Sequence, residues 1–307
     1  MTNTERLNGI FTAIVTPFHD NGEIDWKNFD ALIERQLAAN IAGLVPVGTT
    51  GEAATLSEDE ALAIIERTVK RVDGKAYVLA GTGSNATDKA IKATKRAAEV
   101  GVDGVLLVSP YYNKPSQKGI VAHFEAVADC ADIDNVLYSV PGRTGMAIEA
   151  DTVAALSRSR RNIVGIKEAG GDPLRVTALK ALCEPGFIVH CGDDALALPF
   201  FSLGASGLTS VLSNYDPELC VALYDAWRSS ENERACALHD LMAPIAAAMF
   251  IECSPSAVKC SMAMDGLISE KVRLPLVELQ DESRNVLAKT IKGYRTARKE
   301  VFGGQFG

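Results

Sequence analysis

Short runs of apolar and β-branched residues alternate along the chain with longer segments whose apolar residues repeat at helical spacing. This alternation is typical of repeated strand and helix units that build a parallel sheet. Eight such strands match the count of a (β/α)8 TIM barrel, so the predicted fold class is α/β with that architecture. The predicted strands are residues 11–16, 43–47, 76–80, 104–109, 135–140, 163–167, 187–191 and 207–211.

The connections between the predicted strands carry helix signals. The clearest is Ser57-x-x-Glu60, a capping box ahead of an apolar helical stripe. The alternative architecture, a doubly wound open sheet, predicts a glycine-rich phosphate-binding turn after the first strand. The chain has Thr16-Pro17-Phe18 at that point, so the barrel is favoured.

The last third of the chain differs from the rest. From residue 217 to about residue 296 the pattern is helical, with no further alternation, and no low-complexity or Gly/Ser linker precedes it. The 307 residues also exceed the roughly 250 that are typical of one α/β barrel. We therefore predict a barrel catalytic core over residues 1–216. A C-terminal helical extension, which includes the last barrel helix, is predicted over residues 217–307.

Charge and composition exclude several kinds of partner. The net charge is −8 and the isoelectric point is near 5.2. An acidic chain without a basic run repels nucleic acid and anionic membranes, so neither is a predicted partner. The start of the chain lacks a charged-then-apolar signal pattern, and its longest apolar stretch, residues 241–251, is interrupted by Pro244. The predicted location is the cytoplasm.

The cysteines and histidines give no metal-binding pattern. The seven cysteines are an odd number at irregular spacings without a C-x-x-C pair, which predicts reduced thiols. The four histidines lie far apart, and none belongs to an H-x-x-x-H pattern. No metal is predicted.

A lysine ends the sixth predicted strand. Active sites of α/β barrels lie at the C-terminal ends of the strands, which makes Lys167 a candidate. Burial there disfavours the ammonium and yields the neutral amine that attacks a ketone carbonyl. The alternative is a lysine whose amine reaches solvent at the strand terminus. Barrel strands are covered on both faces, which favours burial.

Three other strand ends carry polar residues of the types that imine chemistry needs. After the second strand, G-T-T-G-E at residues 48–52 is either an ordinary capped turn or a carboxylate site, in which Thr49 can pass a proton. Tyr138 lies near the end of the fifth strand, and Arg143 follows that strand. They are either a proton shuttle and a carboxylate clamp or a core tyrosine and a solvated arginine. After the fourth strand, paired tyrosines beside prolines are more typical of packing or interfaces. The joint occurrence favours a catalytic site.

These motifs resemble the dihydrodipicolinate synthase family, within the pyruvate-dependent class I aldolase superfamily that includes N-acetylneuraminate lyase. The resemblance covers nearly the whole chain and rests on G-T-T-G-E, Y-x-V-P and G-I-K-E-A. P-Y-Y-N-K-P-S-Q at residues 110–117 and P-x-R-T-G at residues 141–145 point to that family in particular.

The resemblance implies a lyase that condenses pyruvate with L-aspartate 4-semialdehyde through a lysine Schiff base, without an external cofactor. The product would be 4-hydroxy-tetrahydrodipicolinate, in lysine and diaminopimelate biosynthesis. An alternative is a pyruvate-forming aldolase or dehydratase that acts on a sugar acid by the same Schiff base. Arg143 favours the first, because the neuraminate lyases lack that arginine motif. A non-catalytic binding barrel would need a disabled lysine or relay, and both are intact.

Catalytic roles follow from the same resemblance. It implies that Lys167 forms the imine with pyruvate, that Tyr138 donates and accepts protons, and that Thr49 is its relay partner. Tyr112 matches a third relay member, which in this family reaches into the active site of a neighbouring subunit. The resemblance therefore implies a homotetramer, as a dimer of dimers, or a homodimer.

Three further residues are matched to substrate binding. Thr50 corresponds to the pyruvate carboxylate site, and Arg143 to the anchor for the semialdehyde carboxylate. Thr209 falls where a backbone carbonyl approaches the lysine and bound pyruvate.

The chain departs from the family pattern near these residues. Ser139 stands where asparagine is usual, which predicts an altered substrate orientation. Residues 253–259 replace the commoner N-P-x-P-x-K segment, which predicts a packing change.

The positions matched to the family's lysine-inhibition site depart as well. Glu58 and Ala61 stand where inhibited members often carry histidines, and Lys89 stands where they carry a glutamate. Asn85 and Tyr111 do match that site. Lysine inhibition is therefore predicted to be weak or absent.

Overall fold

Eight parallel strands close into a barrel in the computed structural model, which describes residues 3–303. Each strand pairs with the next, and the eighth pairs with the first to close the sheet. The predicted (β/α)8 barrel is confirmed. The strands are β1 (Gly9–Thr12), β2 (Gly43–Leu44), β3 (Tyr77–Gly81), β4 (Gly104–Val108), β5 (Asp134–Ser139), β6 (Ile163–Glu168), β7 (Ile188–Cys191) and β8 (Gly207–Ser210).

Two strands end earlier than the sequence predicts. β1 ends at Thr12 rather than at residue 16, because the Asn214 side chain bonds the Val15 N–H and the Ala13 carbonyl in place of a neighbouring strand. β2 ends before Pro46, which has no N–H to donate, and Val47 then adopts a positive φ of 56°. The bounds of the other six strands differ from the prediction by one residue at one or both ends.

Helices surround the barrel and continue after its last strand. The predicted capping box at Ser57 is confirmed, since its hydroxyl accepts the Glu60 N–H while the Glu60 carboxylate accepts the Ser57 N–H. The helices are α1 (Trp26–Ala38), α2 (Glu58–Val72), α3 (Thr87–Glu99), α4 (Gln117–Ala128), α5 (Pro141–Thr144), α6 (Ala150–Ser159), α7 (Leu174–Leu182), α8 (Ala197–Ser202), α9 (Pro217–Arg228), α10 (Asn232–Ala248), α11 (Ser256–Met264) and α12 (Asp281–Gly303).

The part after β8 holds helices and, within residues 217–303, no strand. Residues 265–280 interrupt the helical pattern that the sequence predicts, and α12 continues past residue 296 to Gly303. Helix α10 packs on both α9 and α12, so the extension is joined to the last barrel helix. The division at residue 216 stays a prediction.

The N-terminal end of the barrel is closed by side chains. Leu7, which lies just before β1, is buried together with Phe11 and Tyr77 inside the barrel. A Cβ at Gly43 would lie 2.2 Å from the Phe11 ring, so that position needs glycine. The His190 ring lies 4.9 Å from that of Phe11 and donates to the Leu7 carbonyl at 2.6 Å. The interior space that remains is at the opposite end.

Candidate active site

A cavity of about 380 Å³ lies at the C-terminal ends of the strands. Its wall includes residues from the ends of β2 to β6, as expected for an α/β barrel. Five of the seven predicted site residues line it, namely Thr49, Thr50, Tyr138, Arg143 and Lys167. The fold therefore brings together residues from positions 49 to 167 of the chain.

Lys167 lies in the wall of this cavity near the end of β6. It is 6% exposed, and its register partner on β5 is Tyr138. The Lys167 amine lies 4.4 Å from the centre of the Tyr138 ring. Among residues 3–303 no carboxylate forms a salt bridge with this amine. The amine is thus sheltered and uncommitted, which suits a nucleophile.

A neutral histidine adjoins Lys167 on the other side. His190 on β7 is the register partner of Lys167, and burial lowers the pKa of His190 to about 4. Because the Leu7 carbonyl can only accept, the Nε2 of His190 carries the hydrogen. Its Nδ1 then accepts from the Thr209 hydroxyl at 3.1 Å. His190 is therefore uncharged at neutral pH and places no positive charge beside the Lys167 amine.

The turn after β2 presents two threonines to the cavity. Thr49 is exposed at the cavity wall, whereas Thr50 is buried. The turn closes on itself through the Gly51 N–H and the Gly48 carbonyl at 3.1 Å, and Thr16 donates to the Gly51 carbonyl at 2.8 Å. Hydroxyls and N–H groups that are fixed in this way can bind a small carboxylate.

Arg143 reaches the cavity from α5, the single helical turn after β5. Its side chain is exposed and forms no salt bridge within the described part of the chain. The loop beyond α5 is held at Ile148: its N–H donates to the Ser139 hydroxyl at 3.3 Å, and its carbonyl accepts from Arg175 at 2.7 Å. Arg175 is in turn bound to the buried carboxylate of Glu168 at 2.9 Å.

Ser139 does not line the cavity, and the altered substrate orientation predicted for it stays a prediction. Successive residues of a strand point to opposite sides, so Ser139 points away from the side on which Tyr138 lies. It is fully buried, and its hydroxyl bonds the Ile148 N–H instead. Ser139 can therefore act on substrate only indirectly, through the segment between Ser139 and Ile148 that carries Arg143.

Two predicted site residues are not in the cavity wall. Tyr112 is 91% exposed and has a positive φ of 73°, while its neighbour Tyr111 lines the cavity. Thr209 is buried on β8, where its hydroxyl bonds His190.

The C-terminal extension completes the cavity. The sequence did not predict this contribution. Cys253 and Ser254 line it from one segment, and Pro275 and Leu276 line it from another. The packing change predicted for residues 253–259 thus lies partly in the cavity wall, and it stays a prediction. A signal was present at Lys259, a lone charge between Val258 and Cys260 in an apolar helix. A charge in that setting predicts a buried partner.

Residues 3–303 contain no group of three or more His, Cys, Asp or Glu side chains that could hold a metal ion. No helix in that range combines the length and the apolar character needed to cross a membrane.

The chain is similar over nearly its whole length to known proteins. A model of the dihydrodipicolinate synthetase family matches residues 6–294. The 4-hydroxy-tetrahydrodipicolinate synthase of Endomicrobium trichonymphae is 45% identical over 288 residues, which are 94% of this chain and 98% of that protein.

Solved structures give the same result. The 4-hydroxy-tetrahydrodipicolinate synthase from Methylacidiphilum fumariolicum SolV has a TM-score of 0.94 at 44% identity, over 96% of this chain and 98% of that one. A DHDPS from Cyanidioschyzon merolae, solved with lysine bound, has a TM-score of 0.91 at 34% identity, over 94% of this chain and 99% of that one.

Proposed function

The chain belongs to the dihydrodipicolinate synthetase family, and on that basis we propose that Lys167 carries the Schiff base of the family's reaction. The chain is a lyase that condenses pyruvate with L-aspartate 4-semialdehyde to give 4-hydroxy-tetrahydrodipicolinate. This reaction belongs to lysine and diaminopimelate biosynthesis. The alternative, cleavage or dehydration of a sugar acid, is not favoured, because the relatives are named for the condensation.

The observation that carries the proposal is the position of the Lys167 amine. It is sheltered in the cavity, without a carboxylate partner among residues 3–303, and 4.4 Å from the centre of the Tyr138 ring. The amine attacks the keto carbon of pyruvate, and loss of one water gives the protonated imine. Loss of a methyl proton then gives the enamine, which attacks the aldehyde carbon of the semialdehyde. Ring closure by the substrate amine releases the product and regenerates Lys167.

We propose that protons move through hydroxyl groups beside this amine. The Tyr138 phenol gives a proton to the departing water and takes it back later in the cycle. Thr49, at the cavity wall, is its relay partner, since a hydroxyl both donates and accepts. The Tyr112 of a neighbouring subunit is the third member of the relay, and the 91% exposure of this side chain in one chain supports that assignment.

The carboxylates of the two substrates have separate proposed sites. Thr50 and its backbone N–H bind the pyruvate carboxylate, supported by its place in the turn after β2. Arg143 binds the semialdehyde carboxylate, and its lack of an internal partner in residues 3–303 supports that role. The backbone carbonyl of Thr209 is proposed to approach the imine.

Two properties of the whole protein complete the proposal. The role of Tyr112 requires at least a homodimer, and we propose a homodimer or a dimer of dimers. We also propose a cytoplasmic location, which agrees with the biosynthetic role of the relatives.

Reductive trapping tests the proposed nucleophile. Borohydride added in the presence of pyruvate should fix a pyruvate-derived mass on Lys167, and the variant Lys167→Arg should take up none. Lys259 is an internal control, because it too is buried but pairs with Glu52. Adduct on Lys259, or none on the wild type while it turns over pyruvate and semialdehyde, would refute the assignment.

A further inference from the structure

Glu52, the last residue of the G-T-T-G-E turn, has no part in the chemistry proposed above, yet its surroundings are unusual. Its backbone is left-handed, with φ 58°, a conformation that costs a non-glycine residue energy. The residue is 3% exposed and lines the cavity. Its carboxylate oxygens are both occupied, one by the Lys259 amine at 2.5 Å and the other by the Arg273 N–H at 2.9 Å. The turn is therefore held by the Glu52 side chain as well as by backbone hydrogen bonds.

Lys259 is the partner that this carboxylate needs. Its side chain is 0% exposed, on helix α11. Its amine also donates to the Lys271 carbonyl at 2.7 Å and lies 4.3 Å from the centre of the Phe18 ring. Burial lowers the pKa of Lys259 to about 8, and the nearby Glu52 opposes this shift. Both charges of the pair are satisfied, as buried charges must be.

The pair joins the turn after β2 to the C-terminal extension. The extension reaches the cavity at Cys253 and Ser254, just before α11, and at Pro275 and Leu276, just after Arg273. The Glu52 carboxylate binds one group on each side of this wall: the Lys259 side chain and the Arg273 backbone. The Glu52 carboxylate thus ties the turn directly to the wall that faces it, while the Arg273 guanidinium binds Thr55 and Glu60 just after the turn.

Stability alone is a weak reason for such a pair. Removing two charges from water costs much of what their attraction returns, and a well-packed apolar pair of similar size is often as stable. What an apolar pair cannot supply is an acceptor for the Arg273 N–H or a fixed anchor for a strained turn. The charged pair is therefore suited to holding one geometry.

We infer that Glu52 and Lys259 are positioning residues for imine formation: their buried pair holds the Thr49–Thr50 turn against the extension, where the turn can receive pyruvate. This inference rests on the proposed function, in which Thr50 binds the pyruvate carboxylate and Thr49 relays protons. Neither Glu52 nor Lys259 touches the reacting atoms in this scheme. Loss of the Glu52–Lys259 pair should displace the turn and so slow imine formation, which is the first half of the reaction.

The test is the neutral double variant Glu52→Gln/Lys259→Met, which leaves no unpaired buried charge. We expect its thermal unfolding midpoint to stay within a few degrees of the wild type. Its kcat/KM for pyruvate should fall about tenfold or more, and its borohydride trapping at Lys167 should slow in parallel. Its kcat/KM for the semialdehyde should fall by less than about threefold, because Arg143 lies on α5 and not on the turn after β2.

The matched control is Glu270→Gln/Arg284→Met. These residues form a 2.5 Å salt bridge within the same extension and do not line the cavity. This control should keep wild-type kinetics.

The outcomes separate the inference from the proposed function. Wild-type pyruvate kinetics in the Glu52→Gln/Lys259→Met variant would overturn the positioning role alone. If that variant does not fold, Glu52→Asp decides, since it keeps the charge but shortens the side chain that holds the turn. Lowered kcat/KM for pyruvate in Glu52→Asp supports the inference, and unchanged kinetics overturn it. Failure of the wild type itself to trap pyruvate on Lys167 would overturn the proposed function, and this inference with it.

Discussion

Lys167 and Lys259 are both buried near one cavity, but their neighbours give them different chemistry. Lys259 pairs with the Glu52 carboxylate, so its amine remains bound as an ammonium. Lys167 has an aromatic ring and a neutral histidine beside it, with no carboxylate partner in the described residues. A carboxylate holds a lysine side chain in an ion pair, and the Lys167 amine has no such partner among residues 3–303. Residue type alone does not distinguish the two positions.

The tyrosine beside Lys167 gives the first prediction. Tyr138→Phe keeps the ring but removes the hydroxyl, so kcat should fall about 10² to 10⁴-fold, as for loss of a general acid–base group. The assay couples pyruvate and semialdehyde turnover to product detection. Tyr224→Phe is the control, because its hydroxyl donates to the Ser206 carbonyl away from the cavity. Equal rates for Tyr138→Phe and the wild type would contradict the relay.

The second prediction concerns acid stability and His190. Its pKa is about 4 in the fold, against about 6.5 in an unfolded chain. The unfolded state therefore binds this proton first, so the contribution to stability is complete above pH 6.5 and is lost as pH falls towards 4. From pH 7 to pH 4, the wild type should lose up to about 3 kcal/mol more unfolding free energy than His190→Gln. Denaturant titrations at both pH values measure this, and equal losses would contradict it.

At the scale of elements, side chains from neighbouring elements hold the loop beyond α5. Gln117 bonds the Ala147 carbonyl and the Glu149 N–H, and two further bonds meet at Ile148 between them. Ser139 binds the Ile148 N–H and Arg175 binds the Ile148 carbonyl. Since Arg143 lies in the segment between Ser139 and Ile148, these two bonds limit where the guanidinium can lie. An outward-facing serine can thus influence a substrate that it does not touch.

The third prediction follows from this loop. Ser139→Ala leaves the Ile148 N–H without its acceptor, at a cost of about 1 to 3 kcal/mol, so the loop should loosen. The KM for the semialdehyde should rise about threefold or more, with the rate of pyruvate trapping at Lys167 nearly unchanged. Steady-state kinetics with each substrate varied in turn measure both effects. A rise in the pyruvate KM alone would contradict the role given to this loop.

The sequence predicted the elements better than their ends. Alternation of apolar runs and helical stripes requires no tertiary information, so all eight strands were found. The end of β1 depends on the Asn214 side chain, which is 199 positions away from Val15 in the chain. Glu52 and Lys259 are likewise 207 positions apart. Contacts of this kind are set by the closed barrel, and no local pattern contains them.

The sequence could predict those residues of the candidate site that lie at the ends of strands. Tyr138 and Lys167 lie on paired strands, so the fold class alone brings them together. The wall made by Cys253 and Leu276 comes from outside the barrel repeat, and the fold class gives no rule for it.

At the scale of the whole molecule, the fourth prediction concerns the shared active site. Lys167→Arg keeps Tyr112, and Tyr112→Phe keeps Lys167, so each variant alone should have low activity. Co-expressed chains should regain activity, because a mixed dimer contains one site with Lys167 and a donated wild-type Tyr112. Light scattering should show a dimer or tetramer. Activity no greater than the average of the two variants would mean that Tyr112 acts within its own chain.

The fifth prediction concerns regulation by lysine. Glu58 forms a salt bridge with Lys92 at 2.6 Å, and Arg96 lies 3.8 Å from the same carboxylate. A lysine ligand would meet this engaged carboxylate and the positive charge of Lys89. We expect no inhibition constant well below millimolar in the pyruvate and semialdehyde assay. Inhibition well below millimolar would contradict this prediction. It would show that Asn85 and Tyr111 suffice to bind lysine, the ligand present in the structure of the Cyanidioschyzon merolae relative.

The sealed N-terminal end of the barrel limits how substrates reach the cavity. Because Leu7, Phe11 and His190 fill that end, molecules enter and leave past the strand ends on the other side. The Lys167 amine lies in the wall of this cavity, and in the proposed mechanism it must bind pyruvate before the second substrate reacts. A semialdehyde molecule that arrives first obstructs the keto acid. High semialdehyde concentrations should therefore slow turnover, and added pyruvate should relieve the effect.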